Sequence, residues 1–441
     1  MKKYQLKAGA GKAIIEIPAD FFPQEGFSGI HDDIHVRVVI LDSLKKVVLV
    51  SLELTSLPGT EVDLLKEIVH SVTEATVENI WICATHSFSS PHFMPPFMLK
   101  DEEAVRKTKM FRSAIHNAVE KSCRIASDKL QDAVMGTDSG ICNVNINRDV
   151  LTKKGWWIGS NFEAGSDKTL SVIRIDKADN TEDKADNTEN NSEEVTIALI
   201  FNYNVQSAIM DGSSLEDGTK MITPDLAGKA SDYIEKEYGK NITALFLIGA
   251  AGDQAPVKKA KFTFENQSGD LEEKDLKEKG YQFIEELGET LGKETIAVAR
   301  RIKCTSIKGI VTGKTDFQCP GQVMPKNIHD IQPSFTYEYI SEADKESGVE
   351  AIGIGDLVLL GTKPELCHNT ARELKNASPF SHTLIATMVN GASKYMADEE
   401  SYEKTTYEAM NSPFGKGSAE ILTENAIALL NQMKNQIQEV L

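Results

Sequence analysis

Polar, glycine-containing signatures recur just after apolar strands along this chain, the place where α/β sheets gather their binding and catalytic groups. After Ile80–Ala84 comes Thr85-His86-Ser87-Phe88-Ser89-Ser90-Pro91-His92. Beyond Val195–Ile200 lies Asn202-Tyr203-Asn204-Val205-Gln206-Ser207, and Thr243–Ile248 leads into Gly249-Ala250-Ala251-Gly252-Asp253-Gln254. Leu357–Leu360 ends in Gly361-Thr362-Lys363-Pro364-Glu365, and Thr383–Val389 opens into Asn390-Gly391-Ala392-Ser393-Lys394-Tyr395. Each signature alone is weak: a Gly-Asp-Gln turn is often only a turn, and a lone histidine after a strand is more often hydrogen-bonded than metal-bound. Five in one chain are more suggestive than any one of them, and they point to a polar pocket holding a histidine, carboxylates, a lysine and a tyrosine.

The elements that must hold these loops alternate along the chain. Val36–Leu41 and Lys46–Leu52 read as strands around a short turn. Further strands are expected at Ser171–Ile175 and at the apolar runs before the five loops. Helical periodicity covers Glu61–Ala75, Glu102–Lys129, Asp225–Tyr238, Asp275–Lys303, Glu365–Lys375 and Ala419–Val440. The fold class is therefore α/β, a mixed β-sheet core with flanking helices, and residues 1–441 read as one domain. The repeated heptapeptide Asp176–Glu182 and Asp183–Glu189 lies in an acidic low-complexity insert at about 176–192.

The net charge of -18 argues against nucleic acid as a partner and against anionic lipid surfaces. No signal peptide and no membrane-spanning run is read, and the six scattered cysteines form no CxxC pair, which together imply a cytoplasmic protein. The expected partner is a small molecule; an apolar lid over the pocket would favour a lipid-like one. The Pro-rich apolar run Phe93–Leu99 reads as a lid or a packed surface loop, and Trp156 and Trp157 as packing residues. His70, His116, His329, His368 and His382 read as ordinary exposed or capping histidines.

Taken in order, the segments resemble the neutral/alkaline, non-lysosomal ceramidases, from Gly9 to Leu430. The matching stretches include Ala8–Ala13, Gly29-Ile30-His31-Asp32, Ala84–Ser87, Cys142–Arg148, Pro224–Gly228, Gly252-Asp253, and Asn390 through Tyr395 to Tyr407-Glu408-Ala409. Gly155-Trp156-Trp157 places the chain nearest the short bacterial branch, and the carboxy-terminal Ig-like domain of longer members has no counterpart. The resemblance implies a zinc amidohydrolase whose ion is held by two His, one Glu and one Tyr. It puts ligands at His86 and Tyr395, substrate-holding catalytic groups at Arg148 and Tyr407, and substrate contacts at Gln206, Asp253 and His31.

Half of that zinc set is missing. The second histidine falls on Gln206, the ligand glutamate on Lys363, the companion histidine on Phe88, and a family serine on Ala255. Gln is a poor zinc donor and an ammonium repels a dication, so zinc is doubtful here. Three readings follow. A rearranged metal site would draw on His31, His35, His92, Glu365 or Asp253. A metal-free enzyme would use Lys363 as electrophile. A pseudoenzyme would keep the pocket without the chemistry.

Overall fold

The computed structural model describes residues 5–93, 99, 101–178, 195–239, 241–307 and 309–440, without the side chains of 329, 439 and 440. Its larger sheet has eight strands in the order Thr243–Ile248, Thr196–Tyr203, Thr169–Lys177, Gln131–Ile141, Lys7–Ile14, His35–Asp42, Lys46–Leu52 and Ile80–Ala84. The outermost pair at each edge is parallel and the interior pairs are antiparallel, so the sheet is mixed. A four-stranded sheet runs Ile310–Gln322, Ser341–Ile354, Leu357–Thr362 and His382–Ala386, its last pair parallel.

Successive strand side chains point to opposite faces, and these central strands are apolar on both because both faces are covered. Val39, Leu49, Trp81, Ile173, Ile200 and Leu245 of the large sheet pack against Ile352, Leu359 and Leu384 of the small one in a shared core. The opposite face of the large sheet lies under Gly59–Thr73 and Glu102–Asp128 on one half. Asp225–Glu237 and Lys279–Arg301 cover its other half. His368–Ala377 and Ser418–Val440 cover the outside of the small sheet. The order of layers is helix, sheet, sheet, helix. Burying each large apolar side chain in these interfaces contributes roughly 1.5–3 kcal/mol before the entropy of ordering is counted.

Several strands have no apolar run to announce them. Lys7–Ile14 carries glycines because the helix Glu102–Asp128 crosses directly over it. A Cβ on Gly9 would sit 2.1 Å from the Ala126 carbonyl oxygen, and one on Gly11 2.2 Å from that of Ser122. The long hairpin strands Ile310–Gln322 and Ser341–Ile354 are polar where they project beyond the core. The expected helix Glu365–Lys375 begins only at His368, after the short strand Glu365–Leu366, and Leu271–Asp275 is a strand before the helix Lys279–Arg301. Asp176 and Lys177 belong to a strand, with Asp176 buried against Arg174, so the insert starts later than expected. The repeat from Asp179 onward, and residues 94–98 of the apolar run, lie outside the described residues. Among the described residues no helix is long and apolar enough to cross a membrane.

Candidate functional site

The site forms where strand ends from both sheets meet. The chain leaving Ile80–Ala84 runs beside the chain leaving Thr196–Tyr203, with Ser87 bridged to Ser207 in parallel. Between them His86 takes a left-handed backbone, φ 59°, which turns its ring inward. Its Nδ1 is 2.6 Å from the Thr55 carbonyl oxygen, an acceptor, so that nitrogen carries the proton and Nε2 faces the site. Nε2 stands 3.2 Å from Glu365 Oε2, off the direction of a proper hydrogen bond.

Glu365 reaches this place because the strand Leu357–Thr362 does not continue through it. The Thr362 hydroxyl donates to the Pro364 carbonyl at 3.0 Å, turning the chain. Glu365 and Leu366 then pair in parallel with Tyr395 and Met396. Strand alternation is broken at that turn. Lys363 is left exposed, beside Gly391 and near Lys66, whose pKa burial lowers with a smaller push from Lys363, while Glu365 is buried. The expectation that Lys363 enters the pocket is therefore corrected: the carboxylate against His86 is Glu365.

Arg148 comes from the strand Asn145–Thr152, which pairs with Gln254–Pro256 and so lies against the Asp253 loop. A register shift between Asn147 and Asp149 interrupts its pairing with Gly155–Asn161. The guanidinium is buried. Its Nε donates to Glu408 at 2.7 Å and its Nη1 to Gln206 Oε1 at 2.9 Å. Nη2 is 2.5 Å from the same Glu408 oxygen but out of line with it, which leaves donor capacity over. The guanidinium also lies 5.4 Å from the Tyr395 ring centre and 5.7 Å from that of Tyr407. Those two rings meet edge to face at 6.0 Å, and Trp157 adds a third ring against Tyr407 at 6.0 Å. Trp157, read from sequence as packing alone, flanks the site.

Gln206 joins the two halves. Its amide nitrogen donates to Glu365 Oε2 at 2.9 Å while its oxygen accepts from Arg148. Chemistry fixes that orientation, since a carboxylate only accepts and a guanidinium only donates. Burial works against the His86 imidazolium, but Glu365 outweighs it and its pKa is raised. Burial likewise works against the Glu365 carboxylate, yet His86 and Arg148 hold it below the usual range. Burial pushes the Tyr395 and Tyr407 phenols up, with Arg148 opposing. Burial, with Glu408 and Asp253 adding to it, pushes the Asp149 carboxyl well above its ordinary range.

Asp253 stands one step behind. It accepts from the His368 backbone N–H at 2.9 Å and from Asn147 Nδ2 at 3.0 Å, and its carboxylate meets His368 Nδ1. His368 was read as ordinary; nothing in its local sequence marks it, because its partner is 115 residues away. His31 is not with the group: it stacks on Tyr281 at 3.8 Å, bonds Asp32 at 2.7 Å and lines a separate groove of about 990 Å³ with Lys12, Asp232 and Glu235. His35 is held by Glu53 and His92 by Glu25. Of the candidate replacement ligands, only Glu365 lies against His86. The structure thus brings together His86, Arg148, Gln206, Tyr395 and Tyr407, with Asp253 behind Arg148, and leaves out Lys363 and His31.

These donors do not make a four-ligand zinc site. His86, Glu365 and Tyr395 are present, but the fourth position is an amide already spent between a carboxylate and a guanidinium. Among the described residues there is no group of three or more His, Cys, Asp or Glu that could hold a metal ion.

No family model matches the chain, and no curated protein matches it. Solved structures do. Neutral ceramidase from Pseudomonas aeruginosa superposes with a TM-score of 0.73 at 16% identity, over 98% of this chain and 75% of that one. A ceramidase complexed with C2 superposes with a TM-score of 0.71 at 16% identity, over 98% of this chain and 76% of that one. The fold of this chain, mixed sheets with flanking helices, is similar to that of neutral ceramidase.

Proposed function

We propose that this chain is a hydrolase of an amide or related small acyl compound, with lipid-like N-acyl amines of the ceramide type as the first substrate class. The likeness in fold to neutral ceramidase supports the reaction class. The observation that carries the reading is that His86 Nε2 and Arg148 Nη2, both buried, lack an aligned partner within one continuous network. Buried polar atoms left open cost about 1–3 kcal/mol each, and a bound carbonyl or carboxylate oxygen would relieve that cost. The donor set gives no role to zinc, so the chemistry is assigned to side chains.

In this scheme Arg148 and the Tyr395 and Tyr407 hydroxyls hold the acyl oxygen, where negative charge develops as water adds. Glu365 takes a proton from the water as its oxygen bonds to the carbonyl carbon. His86 gives its proton to the leaving nitrogen as the C–N bond breaks, and Glu365 returns a proton to His86 across their 3.2 Å separation. The products are a carboxylic acid and an amine, and the side chains end as they began.

The test is amine release from a series of N-acyl amines of increasing chain length. Release should fall roughly 100- to 1,000-fold in Arg148→Met, the scale of losing one oxyanion donor. If no substrate is cleaved while the same compounds still raise the melting temperature, the protein binds without turnover and the hydrolase reading fails.

A further inference from the structure

We infer that Gln206 alone keeps this site from holding a divalent cation, and that the Lys363 substitution contributes nothing to that exclusion. In the sequence, two ligand positions look lost, one to an amide and one to an ammonium. In the structure only one is. Glu365 supplies a carboxylate to the site, buried, 3.2 Å from His86 Nε2, and paired in parallel with Tyr395. The Lys363 ammonium is outside, exposed on the side of Lys66 and Gly391.

Two donors of the right kinds therefore meet, an imidazole whose other nitrogen is fixed by a carbonyl and a carboxylate, with the phenol of Tyr395 on the strand paired to Glu365. A backing carbonyl on the second ring nitrogen is the arrangement that orients histidine ligands in metal sites. The fourth neighbour is Gln206, which acts against a cation in two ways. Its N–H group points at Glu365 Oε2, occupying the oxygen a metal would need. Its carbonyl accepts from Arg148, tying a permanent positive charge to the group. An imidazole that ligates a cation at this position does neither. Its lone pair would face a cation held between it, Glu365 and His86, and the Arg148 Nη1 donor would be released.

The inference concerns metal affinity and stands whether or not the pocket hydrolyses anything. Zinc binding to the full chain would be measured by competition with a chromophoric chelator, alongside the circular dichroism and melting temperature of each variant. The unaltered protein and Lys363→Glu should bind zinc equally weakly. Gln206→His should gain at least about 100-fold, the upper end of what even an outer partner of a ligand is worth. That gain should vanish when Glu365→Gln is added. Tight zinc binding by the unaltered protein that is lost in His86→Ala would overturn the inference. So would a Gln206→His protein of native spectrum and unchanged zinc affinity, or a comparable gain in Lys363→Glu. If Gln206→His does not fold, Gln206→Glu, with the same chain length and no N–H, should show a smaller gain in the same assay. Its failure to gain would count against the inference equally.

Discussion

Two buried arginines, set in two clusters of charge, behave differently. Arg37 sits among Glu53, Asp232 and Glu235, with Lys12 bonded to the last two and His35 to the first. Its side-chain nitrogens all have carboxylate partners. Arg148 is as deeply buried, but its network leaves His86 Nε2, its own Nη2 and Glu408 Oε2 without aligned partners. A network closed on itself fixes how the helix Asp225–Glu237 meets the sheet. An open one, at the mouth of strand ends, holds groups ready for a ligand. Burial and charge alone do not separate structure from function; unspent hydrogen-bonding capacity does.

The comparison breaks first on stability. Arg37→Met leaves three carboxylates facing one another and should cost about 3–5 kcal/mol, read from urea denaturation. Arg148→Met should cost less, because Asp149, whose raised pKa favours its neutral form, lies beside Glu408 and softens the loss of its partner. Equal losses would mean that both clusters are structural.

Ligand response comes next. A medium-chain carboxylate, the class of the proposed product, should raise the melting temperature of the unaltered protein and of Lys363→Ala. At about 100 times its Kd the linkage amounts to roughly 2.7 kcal/mol. The shift should be absent in Arg148→Met. A shift that survives there would move the open site elsewhere.

Titration gives a smaller effect of known sign. Asp149 has a folded pKa above its unfolded value of about 4, so folding takes up a proton and stability falls as pH rises between the two. Asp149→Asn, which stays neutral, should flatten that decline by up to about 1.4 kcal/mol per pH unit across the window. The lowered pKa of Glu365 acts in the opposite sense: its contribution is present above the unfolded value and is lost as pH falls through the folded one. An unchanged slope in Asp149→Asn would show that Asp149 is ionised in the folded protein. Smallest of all, Lys363→Ala should change stability by less than about 0.5 kcal/mol, as at other exposed positions.

Much of this was written in local pattern. Buried strands such as Lys46–Leu52, Ile80–Ala84 and Thr243–Ile248 follow from runs of apolar residues, and the helix Glu102–Asp128 from its period. Polar loops at strand ends located His86, Gln206 and Tyr395, because where a strand stops is a short-range property of the chain; Arg148 and Tyr407 were placed only by the resemblance. What pairs with what is not. Which of Lys363 and Glu365 enters the site depends on a turn at Pro364 and on the pairing of Glu365 with Tyr395, a contact between strands 30 residues apart in the chain. His368 gains its role only by meeting Asp253. His31, inside a matching segment, is carried to another groove by Tyr281 and Asp32. Periodicity and turn chemistry act over a few residues and are legible in the sequence. The orientation of a polar side chain depends on which distant partner satisfies it, and only the packed tertiary structure decides that.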